Sequence, residues 1–176
     1  MPVSRAHKSP PPIRVRTARP GDLDALIELE NRVFSTDRLS RPSLRRFISA
    51  RSATVVVAEG EGGHLAGTAI VLFRTRSALA RLYSIAVAPH MSGRGVAATL
   101  LHAAETAARK RGCTAVRLEV HVTNHPAIAR YRKSGYREFG RRRAYYEDGG
   151  DALRFEKSLS AGSRRAPHRH RGALHR

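Results

Sequence analysis

The sequence between Leu82 and Tyr136 constrains the fold of this chain more than any other part of it. An apolar run over residues 82–87 precedes a glycine-containing loop, 92–95, and then a segment with apolar residues at the spacing of one helix face. A second apolar run over 115–122 leads to a short segment that ends at a glycine. The stretch is therefore predicted to form a strand, a glycine loop, a helix, a strand and a helix.

The loop before the first predicted helix has the composition of an anion-binding turn. Gly93 and Gly95 allow positive φ angles and a close approach of the backbone to a ligand. The amides from Val96 to Ala98 begin the helix, so they lack partners within it and lie at the positive end of its dipole. Such a turn can hold a pyrophosphate, but a purely structural turn can have the same composition.

Several motifs occur together in and beyond this stretch. They are Ile85-Ala86-Val87-Ala88-Pro89, Ser92-Gly93-Arg94-Gly95-Val96-Ala97, Leu118-Glu119-Val120, Asn124, Ala127-Ile128, Tyr131 and Gly135-Tyr136. As a set they resemble the acetyl-CoA-binding core of the GNAT N-acetyltransferases. The segment 142–149, followed by 151–153, resembles the ribosomal-protein-alanine N-acetyltransferase (RimI-type) branch of that family, which acetylates protein N-termini.

The resemblance covers about residues 13–159 and implies the GNAT fold, in which two parallel central strands splay apart and admit acetyl-CoA. The order of the predicted elements independently favours a mixed α/β sheet with helices on both faces. Residues 1–12 are basic and Pro-rich, and residues 160–176 are rich in Arg and His without periodicity. Both ends are expected to be disordered, flanking one acetyltransferase domain over 13–159.

The resemblance also implies residues that bind acetyl-CoA. Backbone amides near the end of the first strand would polarise the acetyl carbonyl, amides of the loop and helix start would hold the pyrophosphate, and an asparagine would contact CoA. These residues are Ile85, Ala86, Val87, Gly93, Arg94, Gly95, Val96, Ala97, Ala98 and Asn124. The family usually has Gln or Arg where this chain has Ser92, whose hydroxyl can still donate; Asn124 could equally cap the following helix.

Two side chains are candidates for proton transfer. Alternation along the strand 116–122 places Glu119 on a polar face, and the resemblance implies that it is the general base. The alternative is a carboxylate paired with Arg117 or another arginine on an exposed face. The resemblance implies that Tyr131 is the general acid, and the alternative is a buried aromatic residue that anchors its helix. His121 and His125 rank below Glu119 as bases.

The resemblance implies that Tyr145 and Tyr146 wall the acceptor slot, although aromatic pairs in a hairpin also serve packing. Asp37, in a loop that commonly borders the acceptor site in this fold, could meet an amine or simply be solvated.

We predict no metal site. No apolar run reaches the ~18 residues of a membrane span, and the N-terminus lacks a secretory h-region. The single cysteine, Cys113, fits a reducing cytoplasm.

Charge is the unusual feature of the composition. Lys and Arg number 33 against 14 Asp and Glu, a formal net charge of +19. Such a surface attracts polyanions, including CoA, RNA or a ribosome, but scattered basic residues without a nucleic-acid-binding motif can also be a generically soluble surface. Both interpretations remain open at this point.

Three functions follow from these features. The leading prediction is acetyl transfer from acetyl-CoA to a protein N-terminal α-amine, with a ribosomal protein as candidate acceptor. The second prediction is the same chemistry on a small amine or a lysine side chain. The third is a non-catalytic basic module that binds a ribosome or RNA.

Overall fold

Seven strands form one sheet in the residues that the computed structural model describes, 12–159. The strands are β1 (Arg14–Thr17), β2 (Ala53–Glu59), β3 (Leu65–Phe73), β4 (Leu79–Val87), β5 (Ala115–His121), β6 (Arg137–Arg142) and β7 (Ala152–Ser158). The α-helices are α1 (Leu23–Val33), α2 (Arg41–Ser49), α3 (Val96–Lys110) and α4 (His125–Lys133). The predicted lead over 1–12, apart from residue 12, and the predicted tail over 160–176 lie outside the described residues.

The strands follow the order β1-β2-β3-β4-β5-β7-β6. Of the adjacent pairs in residues 12–159, β4 and β5 are parallel and the others are antiparallel. The prediction of a mixed α/β sheet is therefore confirmed. Within residues 12–159, no helix has both the length and the apolarity that a bilayer crossing requires.

Helices cover both faces of the sheet, as predicted, because neighbouring residues of a strand point to opposite faces. Val55 and Val57 of β2 pack against Leu26 of α1 and Leu44 of α2. The intervening side chains belong to the other core cluster, which contains the buried face of α3 and one side of α4. Its members include Val56, Ala58, Leu100, Leu101, Ala104, Ile128 and Tyr131. The two cores fix α1–α2 and α3–α4 on opposite sides of β4.

Strand β4 begins at Leu79, three residues before the apolar run that predicted it. Leu79 and Ala80 pair in parallel with Ala115 and Val116, and Ala80 is buried. The start of the strand was not predicted because Arg81, a charged residue, precedes the apolar run.

The two parallel strands separate halfway along their length. Pairing between β4 and β5 ends at Leu82 and Leu118. Opposite β3, Ile70 pairs with Ser84 while Val71 pairs with Leu82, so Tyr83 is an extra, bulged residue. A bulge bends its strand and terminates pairing, so the rest of β4 diverges from β5. This divergence opens the splayed cleft that the GNAT fold implied.

Gly67 of β3 controls how closely α3 packs onto the sheet. A Cβ atom built there would lie 2.7 Å from the Ala86 carbonyl oxygen and 2.8 Å from Cδ1 of Leu100. Gly67→Ala should therefore lower the free energy of unfolding by about 1–3 kcal/mol, since an overpacked core must shift its backbone. Urea denaturation measures the loss. Gly21→Ala is the control because a Cβ at Gly21 meets nothing within 4 Å, and equal midpoints for both variants would contradict the prediction.

Candidate active site

A cleft of about 1150 Å³ occupies the gap between the diverging ends of β4 and β5. Its walls come from these strand ends, the start of α3, α4, the α1–α2 loop and the β6–β7 loop. Most of the residues predicted from the sequence line it together. They are Ile85, Val87, Gly93, Gly95, Val96, Ala97, Ala98, Glu119, Asn124, Tyr131, Tyr145 and Tyr146. Ala86 and Arg94 do not line it; Arg94 is exposed on the outer side of the loop.

The start of α3 presents free backbone donors to one end of the cleft. Gly95 is the N-cap residue with φ +77°, Gly93 has φ +76°, and no side chain caps the helix. A Cβ at either glycine would meet nothing within 4 Å, so the backbone angle rather than crowding requires glycine there. The uncapped amides and the helix dipole make this end suitable for a phosphate group. Ser92 lines the same end of the cleft.

The free edge of β4 forms a second row of donors. The Ala88 amide donates to the Ala66 carbonyl oxygen of β3 at 2.8 Å. Because hydrogen bonding alternates along an antiparallel ladder, Ala86, which pairs with Thr68, also faces β3, whereas Ile85 and Val87 face the gap. The side chain of Ala86 is buried on the α1 side of the sheet. Of the three residues predicted to present an amide to acetyl-CoA in this strand, Ile85 and Val87 can do so. Ala86 cannot, because its amide faces β3.

Glu119 lies at the point where β5 leaves β4. Its side chain is only 9% exposed, and its Oε2 atom accepts a hydrogen bond from Nε of Arg81 at 3.0 Å. Nε of Arg154 lies 3.8 Å from Oε1. Arg117, the partner suggested from sequence spacing, instead pairs with Glu156. Glu119 is thus paired with another arginine, but in the wall of a cleft and not on an exposed face.

Arg81 is the site residue that sequence reasoning missed. Besides holding Glu119, its guanidinium donates to the phenol oxygen of Tyr145 and lies 5.4 Å from the ring centre of Tyr83. Arg81 thereby connects Glu119 to Tyr145 in the wall of the cleft. The available sequence signal was a single arginine in the middle of an apolar strand.

Tyr131 of α4 lines the cleft and is almost fully buried, with 5% of its surface exposed. Its ring packs against Tyr136, with 5.7 Å between ring centres, and against Phe155. Burial raises the pKa of Tyr131 to about 12, so its hydroxyl keeps its proton at neutral pH.

Asn124 caps α4 by accepting a hydrogen bond from the Ala127 amide at 3.3 Å. The capping role predicted for Asn124 is therefore confirmed.

Two loops that line the cleft are hydrogen-bonded to each other. The Asp37 amide donates to the Glu147 carboxylate at 3.1 Å, and the Glu147 amide donates to the Asp37 carboxylate at 3.3 Å. Tyr145 and Tyr146, which precede Glu147 in the chain, have perpendicular rings with centres 5.0 Å apart. The bridge joins residues 110 positions apart, which no local sequence pattern could reveal.

The histidines considered as alternative bases differ in position. His121 lines the cleft, but its Nε2 atom lies 3.0 Å from Oδ2 of Asp148 and its ring packs on Tyr146. His125 is exposed and does not line the cleft.

Among residues 12–159, no three His, Cys, Asp or Glu side chains come together in a group that could hold a metal ion.

Comparison with known proteins gives consistent matches. A family model described as "Acetyltransferase (GNAT) family" matches residues 23–136. The N-alpha-acetyltransferase RimI of Mycobacterium tuberculosis is 33% identical over 144 residues, 80% of this chain and 89% of that protein. The streptothricin acetyltransferase of Streptomyces lavendulae is 31% identical over 161 residues, 75% of this chain and 85% of that protein.

A solved structure agrees with these matches. The crystal structure of the ribosomal-protein-S18-alanine N-acetyltransferase from Escherichia coli superposes with a TM-score of 0.76 at 26% identity, covering 88% of this chain and 99% of that one. The family model spans the unit of β4, glycine loop and α3 that lines one end of the cleft. With its N-acetyltransferase relatives and its splayed cleft, the chain belongs to the acetyltransferase (GNAT) family.

Proposed function

We propose that the chain transfers the acetyl group of acetyl-CoA to the α-amine of a protein N-terminus, with a ribosomal protein as the candidate acceptor. The observation that carries the proposal is the bridge between Asp37 and Glu147, which ties together two loops that line the cleft at its proposed acceptor end, where Tyr145 and Tyr146 also line it. We expect the tied loops to restrict an acceptor to an end-on approach. A chain terminus approaches in this way readily, whereas a lysine within a chain brings its flanking backbone against the two loops.

The residues of the cleft fit acetyl-CoA. The uncapped amides that begin α3 suit the pyrophosphate. The free edge of β4 at Ile85 and Val87 can pair with the amide groups of the pantetheine arm, as a sheet edge pairs with an added strand. The bound co-substrate supplies an acyl group that is activated as a thioester. GNAT acetyltransferases use this co-substrate, and its contacts here are part of the proposal.

The proposed chemistry is direct attack by the acceptor amine on the acetyl carbonyl. An α-ammonium group has a pKa near ~8, so part of the acceptor must lose a proton at neutral pH. Glu119 takes this proton, directly or through a water, while Arg81 holds the carboxylate in place. Of the two amides that face the gap, those of Ile85 and Val87, one stabilises the charge that develops on the carbonyl oxygen while the other remains for the pantetheine arm.

The C–N bond then forms as the C–S bond breaks. The sulfur leaves with the electron pair of that bond and receives a proton from the hydroxyl of Tyr131. The nitrogen loses its second proton as the amide forms, and this proton restores the Tyr131 hydroxyl through water, while Glu119 releases its proton to solvent. The raised pKa of Tyr131 favours the protonated phenol before the reaction. The single cysteine, buried Cys113, takes no part in the proposed steps, and its free thiol favours a cytoplasmic setting.

A small polycationic amine is the second candidate acceptor. Asp37 and Glu147 line the cleft, and Glu30 is a buried carboxylate in its wall, so carboxylates are available there beside Arg38 in a strongly basic chain. Carboxylates attract ammonium groups, and the similarity to streptothricin acetyltransferase supports this candidate. Both candidate functions are enzymatic, in keeping with the family. The third function considered from the sequence, a non-catalytic basic module, gives no reason for the predicted site residues to line one cleft.

Release of the CoA thiol from acetyl-CoA tests the proposal on a panel of acceptors. The panel comprises peptides that differ at their first two residues, N-blocked lysine-containing versions of the same peptides, and several polyamines. We expect turnover with free N-termini only, with the peptide preference pointing to the native acceptor. Turnover restricted to polyamines or to blocked peptides would overturn the N-terminal assignment.

A further inference from the structure

A second cavity, of about 560 Å³, lies at the opposite end of the sheet from the cleft. It is formed where β3 ends and β2, β4 and β5 begin, by the α2–β2 connection, the β3–β4 loop and the α3–β5 turn. Strand β4 begins beside this cavity at Leu79, and its residues line the cleft from Arg81 onward. The two sites have no lining residue in common, so substitutions of exposed side chains in this cavity should leave the proposed chemistry untouched.

The lining of this cavity carries positive charge and hydroxyl groups. Its polar side chains are those of Arg51, Arg74, Arg76, Arg111, Ser52, Thr75 and Ser77, and no Asp or Glu lines it. We call it the arginine pocket. The ion pairs found among residues 12–159 involve none of these four arginines. The cleft differs in that Glu30, Asp37, Glu119 and Glu147 offset its arginines.

Part of the arginine pocket is held rigidly. The Arg111 guanidinium donates to the Arg51 carbonyl oxygen and lies 4.2 Å from the ring centre of Phe73. Arg76 has φ +60°, a left-handed conformation that is unfavourable for a residue other than glycine. Gathering like charges in a concave site is also unfavourable. A bound polyanion would offset the repulsion between the arginines, and a strained backbone residue such as Arg76 is more common at binding sites than elsewhere.

We propose that the arginine pocket binds the phosphate backbone of RNA. Arginine side chains pair with phosphate oxygens through two parallel hydrogen bonds, and Ser and Thr hydroxyls commonly contact phosphate and sugar. Phe73 is the aromatic residue of the pocket, and Arg111 covers its ring. Because contacts to phosphate and sugar carry no sequence information, we expect binding to be independent of base sequence. The formal charge of +19 adds long-range attraction.

RNA held in this pocket would serve the acetyltransferase as an anchor. The cleft stays open because it lies at the other end of the sheet. An acceptor that is already associated with RNA would then be presented at a raised effective concentration. The inference does not depend on which acceptor the cleft takes, because the pocket shares no residue with the cleft.

Fluorescence anisotropy of a labelled single-stranded RNA across a salt series tests the inference with the full chain. The variant is Arg74→Gln/Arg76→Gln, and the control is Arg32→Gln/Arg137→Gln; each removes two positive charges from exposed positions. We expect the pocket variant to bind about tenfold more weakly. Its slope of log affinity against log salt should be shallower by roughly 1.4, equivalent to two lost phosphate contacts. The control should stay close to wild type.

Three results would overturn the inference: equal losses in the pocket variant and the control, competition by a mononucleotide as effective as by RNA, or competition by an acidic peptide to the same degree. Acetylation of a free acceptor peptide should be unchanged in the pocket variant, which also confirms that it folds. A second measurement needs no variant. RNA should slow the modification of Arg74 and Arg76 by phenylglyoxal in the wild-type chain, and unslowed modification would contradict the pocket assignment.

Discussion

Glu119→Gln is expected to lower kcat at neutral pH by about 100-fold, within the range of general-base contributions. Glutamine keeps the size of the side chain but cannot take a proton, and it leaves Arg81 without its ion pair. The loss should grow at lower pH, because an acceptor α-amine with a pKa near ~8 is then almost wholly protonated and depends most on a base. Above that pKa the rates of the variant and the wild type should converge. The pH dependence of kcat measures this pattern.

Glu156→Gln is the matched control for Glu119. Glu156 lies on the neighbouring strand β7 and is also paired with an arginine, Arg117, but it does not line the cleft. Its replacement should leave the pH–rate profile unchanged. If Glu119→Gln also leaves the profile unchanged, Glu119 is not the base and serves only to hold Arg81.

Tyr131→Phe is expected to lower kcat by about tenfold to 100-fold while the affinity for acetyl-CoA stays near that of the wild type. The phenyl ring keeps its packing against Tyr136 and Phe155, so binding is preserved. The leaving sulfur loses its proton donor, which accounts for the slower turnover. The effect is smaller than for a base because a thiolate can depart without full protonation. Steady-state kinetics and calorimetric titration with acetyl-CoA separate the two quantities.

Tyr136→Phe provides the comparison for Tyr131. Tyr136 is the buried ring that packs beside Tyr131, and it does not line the cleft. We expect wild-type kcat in this variant. A wild-type kcat in Tyr131→Phe as well would leave Tyr131 with a structural role as the anchor of α4.

The strands and helices could be predicted because their signals are local. Apolar residues at helical spacing fixed α3, and the alternation of Arg117, Glu119 and His121 with buried neighbours fixed β5. The bulge at Tyr83, which opens the cleft, could not be foreseen. It depends on the register between β3 and β4, and a register is a property of two strands.

The candidate site was predictable to a similar extent. The loop containing Gly93 and Gly95 was recognisable because the backbone angles it needs restrict the residue type. The ion pair between Arg81 and Glu119 was not, because it joins two strands 38 residues apart. The same limit applies to the bridge between the α1–α2 and β6–β7 loops. A sequence shows which charges exist, and the fold decides which of them meet.

Mass spectrometry of one acetylated peptide tests most directly whether the cleft selects a chain terminus. The peptide carries a free N-terminal α-amine and an internal lysine, and it is incubated with acetyl-CoA and the wild-type chain. Fragment masses locate the added acetyl group. We predict that it lies on the α-amine while the lysine stays free. Acetylation of the lysine alone would contradict the proposed N-terminal activity.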